Sequence, residues 1–138
     1  MRAVTQIFFR HPAAIPESAG AVIEWWESRR PVYNLAVGAT GVATLAVMNL
    51  MFSLPPHPDP MPWQLTVMAP MVYGTAANIC YSSGWALELF LRRYVRDENG
   101  AIGGALFRYG FAFSIGLTLL PAGVSVLAWL ARIASTVL

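Results

Sequence analysis

WQLTVMAPMVYGTAANICYSSGWALELFLRR, residues 63–93, is the stretch on which the fold turns. It is long enough to cross a bilayer and ends in an arginine pair. It also sets the densest group of polar residues in apolar surroundings. At heptad spacing it places Val67, Met71, Gly74, Asn78, Tyr81, Trp85, Glu88 and Arg92 on one side of a helix. That pattern predicts the central helix of a small membrane bundle.

Composition points the same way. The chain has 138 residues, 57% hydrophobic and 12% charged, against about 25% charged in an average soluble domain. So little polar surface cannot cover a soluble core of this size. The net charge of +2 is too small for a nucleic-acid binder. All nine basic residues are arginine. The one cysteine, Cys80, excludes an intrachain disulfide and reads as a buried packing residue. At the start, Arg10, His11 and Pro12 cut the apolar run too short for a cleavable signal, so the chain is expected to keep its first residues.

Outward from the central stretch, two more spans follow. The first is about 32–54, opened by Pro31, where a missing N–H is harmless. Its residues rise ~34 Å, enough for a ~30 Å hydrocarbon core. Ala36, Thr40 and Thr44 make a small-residue face that lets helices approach closely. Asn34 and Asn49 each call for a hydrogen-bond partner on a neighbouring helix. The second span is about 65–87, with a kink expected at Pro70. The third is about 109–131, bracketed by Arg108 and Arg132, with small pairs Gly110–Ser114 and Ala112–Gly116 and a proline at 121. Breaking it at Pro121 to make four spans would leave pieces too short to cross.

Between the first two spans, PPHPDPMP (55–62) is a stiff loop without a basic residue. His57 and Asp59 within it are too few for a metal site. Residues 92–104 read as the second, inner loop, into which Arg92, Arg93 and Arg96 continue the central helix. Its glycines do not match a dinucleotide fingerprint and serve turns and packing. Residues 1–16 read as irregular or interfacial. Residues 17–30, ESAGAVIEWWESRR, form a short amphipathic helix, with Val22, Ile23, Trp25 and Trp26 opposite Glu24, Glu27, Arg29 and Arg30. Lipid and a docking partner fit its apolar face equally well.

The expectation is therefore all-α: an integral membrane bundle of three transmembrane helices plus an N-terminal amphipathic interfacial helix. Residues 1–31 form the N-terminal segment and 32–138 the membrane domain. Arg2, Arg10, Arg29 and Arg30, with Arg92, Arg93, Arg96 and Arg108, fall on one side of such a bundle, and only Arg132 on the other. Eight against one puts the N-terminus in the cytoplasm and the C-terminus outside. Trp25, Trp26 and Trp85 then lie at the inner interface, and Trp63 and Trp129 at the outer one.

Two blocks carry a resemblance. WWESRRPVYN (25–34) and AANICYSSGWALEL (76–89) resemble the WExRRxxYN-like and ANxxYxxGxxxEL-like blocks of a group of small, uncharacterised bacterial membrane proteins. LFRYGFAFSIGLTLLP (106–121) is similar to their third span. The resemblance implies a bacterial inner (cytoplasmic) membrane location, multi-pass, and carries no activity or catalytic residue with it.

Asn34, Asn78, Tyr81, Ser82, Glu88 and Arg108 are the candidate polar cluster for helix contact. In it Glu88 and Asn34 would meet Arg29, Arg30 or Arg108. Glu88 followed by Arg92 is the favourable order for an ion pair along a helix. A proton-carrying carboxylate would need a second titratable group deep in the membrane, and the sequence has none. No HExxH, serine elbow, paired carboxylate or histidine inside a span suggests an enzyme, haem or pigment site. The reading is a non-catalytic accessory or scaffold subunit, with no cofactor or metal. Its partners would be the lipid bilayer and other membrane-protein subunits or further copies of itself. The alternative is a homo-oligomeric transporter or channel module, with Asn78, Tyr81 and Glu88 along the path.

Overall fold

A computed structural model describes residues 18–94 and 101–137. The described residues form helices and turns and no strand. Helix α1 spans Ala19–Glu27, α2 Arg30–Ser53, α3 Ala69–Tyr94 and α4 Ala101–Val137, with one π-helical turn, Gln64–Met68, leading into α3.

The interfacial helix expected over 17–30 is shorter. Ser18 ends it by accepting the Ala21 N–H on its hydroxyl, a side-chain N-cap. A two-residue turn, Ser28–Arg29, separates it from α2. Residues 1–17, with His11 and the two most N-terminal arginines, lie outside the described residues.

The heptad stripe holds over only part of its length. Tyr81 and Glu88 are buried and Gly74, Asn78, Trp85 and Arg92 half-buried, but Val67 and Met71 are exposed. The π turn accounts for Val67, whereas Met71 lies beyond it, exposed on the regular part of α3. The Ala69 N–H bonds to the Gln64 carbonyl, five residues back, so residues before Ala69 are rotated off the face that follows. The turn sits directly before Pro70, which has no N–H to give to the preceding turn.

Helix α4 runs unbroken through Pro121 for 37 residues, so no break into a fourth span exists. Its first residues, Ala101–Gly104, are helical where the sequence suggested a loop, and α3 runs on through Arg92 and Arg93 to Tyr94, as expected for those arginines. Two helical stretches, Ala19–Ser53 and Ile102–Thr136, are long and apolar enough to cross a membrane. Only 11% of the most apolar window of each is buried within the chain, whereas the core helix of a soluble protein is mostly covered. These two stretches suggest a membrane protein by length and composition alone. Helix α3 has the length, at 26 residues, but its Asn78, Tyr81, Ser82 and Ser83 keep it below the same apolarity.

The chain divides into two compact units. Of the described residues, the first holds 18–35, 77–94 and 101–113, and the second 36–76 and 114–137. In the second, a ladder of hydroxyls joins three helices. The Tyr73 hydroxyl lies 2.7 Å from Thr118 Oγ1 and donates to the Ser114 carbonyl at 3.0 Å. Thr44 Oγ1 donates to the Thr118 carbonyl at 2.9 Å. That carbonyl is one residue on from Leu117, whose helical donor Pro121 removes. Thr44 and Thr118 are both buried. Of the small-residue face, Thr44 is buried and Ala36 and Thr40 half-buried. Gly116 has no side-chain neighbour within 4 Å of where its Cβ would be; it does not mediate close packing within the chain.

The proline loop is fastened in the same unit. Trp129 Nε1 donates to the Pro55 carbonyl at 2.9 Å, and Arg132 donates to the carbonyls of His57 at 3.0 Å and Met51 at 2.8 Å. Met51 lies in the last turn of α2, so Arg132 places a cation against unpaired carbonyls at a helix C-terminus.

Three side chains differ from expectation. Cys80 is exposed rather than buried. Asn34 and Asn49 are exposed, and among the described residues neither side-chain amide has a hydrogen-bond partner.

Candidate functional site

In the first unit the arrangement starts from Trp26. It lies on the inward side of α1, one turn after Val22, and the two are 3% and 2% exposed. The sequence placed both tryptophans of α1 at an interface; Trp26 is instead a core residue of the chain itself. The apolar side of α1 is thus covered by its own polypeptide, an occupant the sequence reading did not consider.

Trp26 needs a flat receptor, and Gly84 on α3 supplies it. A Cβ at Gly84 would lie 2.6 Å from an indole carbon, closer than any real side chain allows. The indole stands edge-on to Tyr81, with centroids 5.4 Å apart, and to Phe107, at 5.8 Å. Tyr33 from the first turns of α2 packs on Tyr81 at 4.5 Å. Each such pair adds about 0.5–1.5 kcal/mol beyond the area it buries.

Glu88 closes the cluster. It is 2% exposed. Its Oε2 accepts Trp26 Nε1 at 2.6 Å, and its Oε1 accepts two Arg92 N–H groups, from Nε at 2.9 Å and Nη2 at 2.6 Å. Gly103 on α4 makes room for it: a Cβ there would sit 2.5 Å from both carboxylate oxygens. The carboxylate is paired on both oxygens, neutralised by one cation and enclosed on its remaining side. A buried charge persists on those terms.

Around this core the polar groups are largely engaged. The Tyr81 hydroxyl donates to the Trp26 carbonyl at 2.5 Å, near the end of α1. Arg30 Nη2 donates to Glu27 Oε1 at 2.7 Å and to Ser82 Oγ at 2.9 Å, and the guanidinium lies over the Tyr81 ring. Arg29 lies over the Trp25 indole, 4.0 Å from its centroid. Trp25 Nε1 and Arg30 Nε are buried donors without an acceptor among the described residues.

Of the sequence-derived cluster, Tyr81, Ser82 and Glu88 come together, joined by Arg30. Asn78 stands one turn above Ser82, whose hydroxyl donates to the Asn78 carbonyl at 3.0 Å. Asn34 is exposed on α2. Arg108 is exposed on α4 and, among the described residues, donates only to the Gly104 carbonyl of its own helix, at 3.2 Å. Glu88 therefore meets Arg92 and Trp26, not Arg108 or Asn34. Trp26, Phe107, Gly84 and Gly103 were missed as members. The two glycines were the legible signal, since a glycine inside a helix often marks a close approach.

Among the described residues no group of three or more His, Cys, Asp or Glu comes together to hold a metal ion. Comparison of the chain with protein-family models, curated proteins and solved structures finds no match.

Proposed function

We propose that this chain is a non-catalytic, multi-pass membrane protein that serves as an accessory or scaffold subunit of a larger membrane assembly. The carrying observation is how its residues are used. Among the described residues one carboxylate is buried, Glu88, and it is spent on Trp26 and Arg92, while large apolar side chains are exposed on all three long helices. Leu35 and Val42 on α2, Met71 and Val72 on α3, and Phe113 and Leu127 on α4 are each more than 65% exposed. Such surfaces fit lipid and other helices.

In this reading α2, α3 and α4 all cross the membrane. Helix α3 is the most polar of the three, and its Tyr81, Ser82 and Glu88 face helices rather than lipid. The arginine asymmetry puts the N-terminus in the cytoplasm and the C-terminus outside. The resemblance of residues 25–34 and 76–89 to small bacterial membrane proteins supports a bacterial inner membrane.

Native purification in mild detergent, with mass spectrometry of co-migrating proteins, tests the role. Stoichiometric recovery of subunits of one larger assembly is expected. A homo-oligomer without partners would overturn the accessory role and favour the transport reading.

A further inference from the structure

The cationic groups of the first unit divide into two kinds. Its described residues carry Arg29, Arg30, Arg92, Arg93 and Arg108 against Glu24, Glu27 and Glu88. Two of the three glutamates are consumed: Glu27 pairs with Arg30 and Glu88 with Arg92, at 2.7 and 2.6 Å. Arg93 and Arg108 are exposed, and among the described residues neither has a carboxylate partner. Each is followed by an exposed tyrosine, Tyr94 at 71% and Tyr109 at 77%. Phe90 packs on Tyr94 with centroids 4.9 Å apart, extending that aromatic surface.

An exposed cation beside an exposed phenol matches one environment closely. A lipid headgroup layer offers phosphate oxygens to the guanidinium, and to the tyrosine an apolar bed with a wet edge. Both Arg–Tyr pairs border an apolar helical run, one at the end of α3 and one ahead of the most apolar part of α4. Among the described residues neither guanidinium bonds to another element, and the Arg108 bond to Gly104 stays within its own helix.

From this we infer that the Arg93–Tyr94 and Arg108–Tyr109 pairs each dock anionic phospholipid headgroups, chosen over zwitterionic ones by charge. The inference rests on the membrane reading above. It adds to it a lipid class and the residues that select it.

The test uses the full chain reconstituted in nanodiscs made from phosphatidylcholine with one-fifth phosphatidylglycerol. Lipids released from the particle and those retained on the protein in native mass spectrometry are quantified. Retained phosphatidylglycerol should exceed its bulk share, and the excess should fall in high salt. R93Q and R108Q should each lower the preference about fivefold, while R93K and R108K keep most of it. Both sites are exposed, and an unchanged melting temperature would show that the fold is intact. Inorganic phosphate at millimolar concentration should not displace the lipid; displacement would mean a soluble-anion site and overturn the lipid assignment. Retention at the bulk ratio, or a preference untouched in the R93Q/R108Q double variant, would also overturn it. Failure to reconstitute with any lipid, by contrast, would count against the membrane reading itself.

Discussion

Replacing Glu88 with glutamine exchanges an oxygen that accepts two Arg92 N–H groups for an amide that can satisfy only one side. If the amide oxygen keeps Trp26, its NH2 faces the Arg92 donors; if it turns, the indole N–H is left unpaired. Glu88→Gln should therefore destabilise by roughly 1–3 kcal/mol, read as a lower melting temperature in detergent. Trp26→Phe keeps much of the ring and removes the N–H, and should lose a similar amount. The double variant should lose less than the sum, because the two side chains share one bond; strict additivity would mean the 2.6 Å contact contributes nothing. Glycines give a second, sharper comparison. Gly84→Ala and Gly103→Ala put a methyl into the Trp26 ring and the Glu88 carboxylate, and should cost on the order of 1–3 kcal/mol or more. Gly116→Ala, with open space at its Cβ, should be neutral or stabilising by up to about 1 kcal/mol through helix propensity. Equal effects at all three positions would refute the packing of α1 on α3 and α4.

At the scale of elements, helix existence was legible and helix surroundings were not. Proline at 31, the PPHPDPMP loop and the long apolar runs marked α2, α3 and α4 because they act locally on backbone and solvation. The partners of each face depend on which helices meet, and periodicity is silent on that. Trp26 looked interfacial because indole beside arginine suits headgroups; the same side chain also fills a gap between helices when a glycine opposes it. Asn49 looked as though it had to pair within the bundle and does not. Arg132 shows the reverse case. It read as a flanking charge, and it clamps the proline loop and the end of α2. Arg132→Ala should destabilise by about 1–2 kcal/mol, through lost carbonyl bonds and the lost cation at a helix C-terminus. Arg132→Lys should recover only part of this, because one ammonium cannot span the Met51 and His57 carbonyls as a guanidinium does. Thermal unfolding of the two variants side by side separates the geometry from the charge.

For the whole molecule, the account depends on where α3 lies. Helices α2 and α4 are apolar enough to cross a membrane, whereas α3 is more polar, with Tyr81, Ser82 and Glu88 turned toward partners within the chain. At ~1.5 Å per residue, α4 is about 55 Å long, longer than a ~30 Å hydrocarbon core, and its first turns complete the Trp26–Glu88 cluster through Gly103 and Phe107. Function was the least legible level: of the polar residues singled out, Tyr81, Ser82 and Glu88 bond to other helices, while Asn34 and Arg108 are exposed. Cys80 offers a direct probe of α3. It is the chain's one cysteine, and it is exposed. Thiols react with maleimides as thiolates, which form only where water reaches. Opened membranes carrying the wild-type chain would be treated with a water-soluble maleimide, with and without denaturation in SDS, and labelling followed by mass. With α3 crossing the bilayer, Cys80 should stay unlabelled until SDS is added. Rapid labelling in the opened membranes would place α3 in water and contradict the three-span bundle.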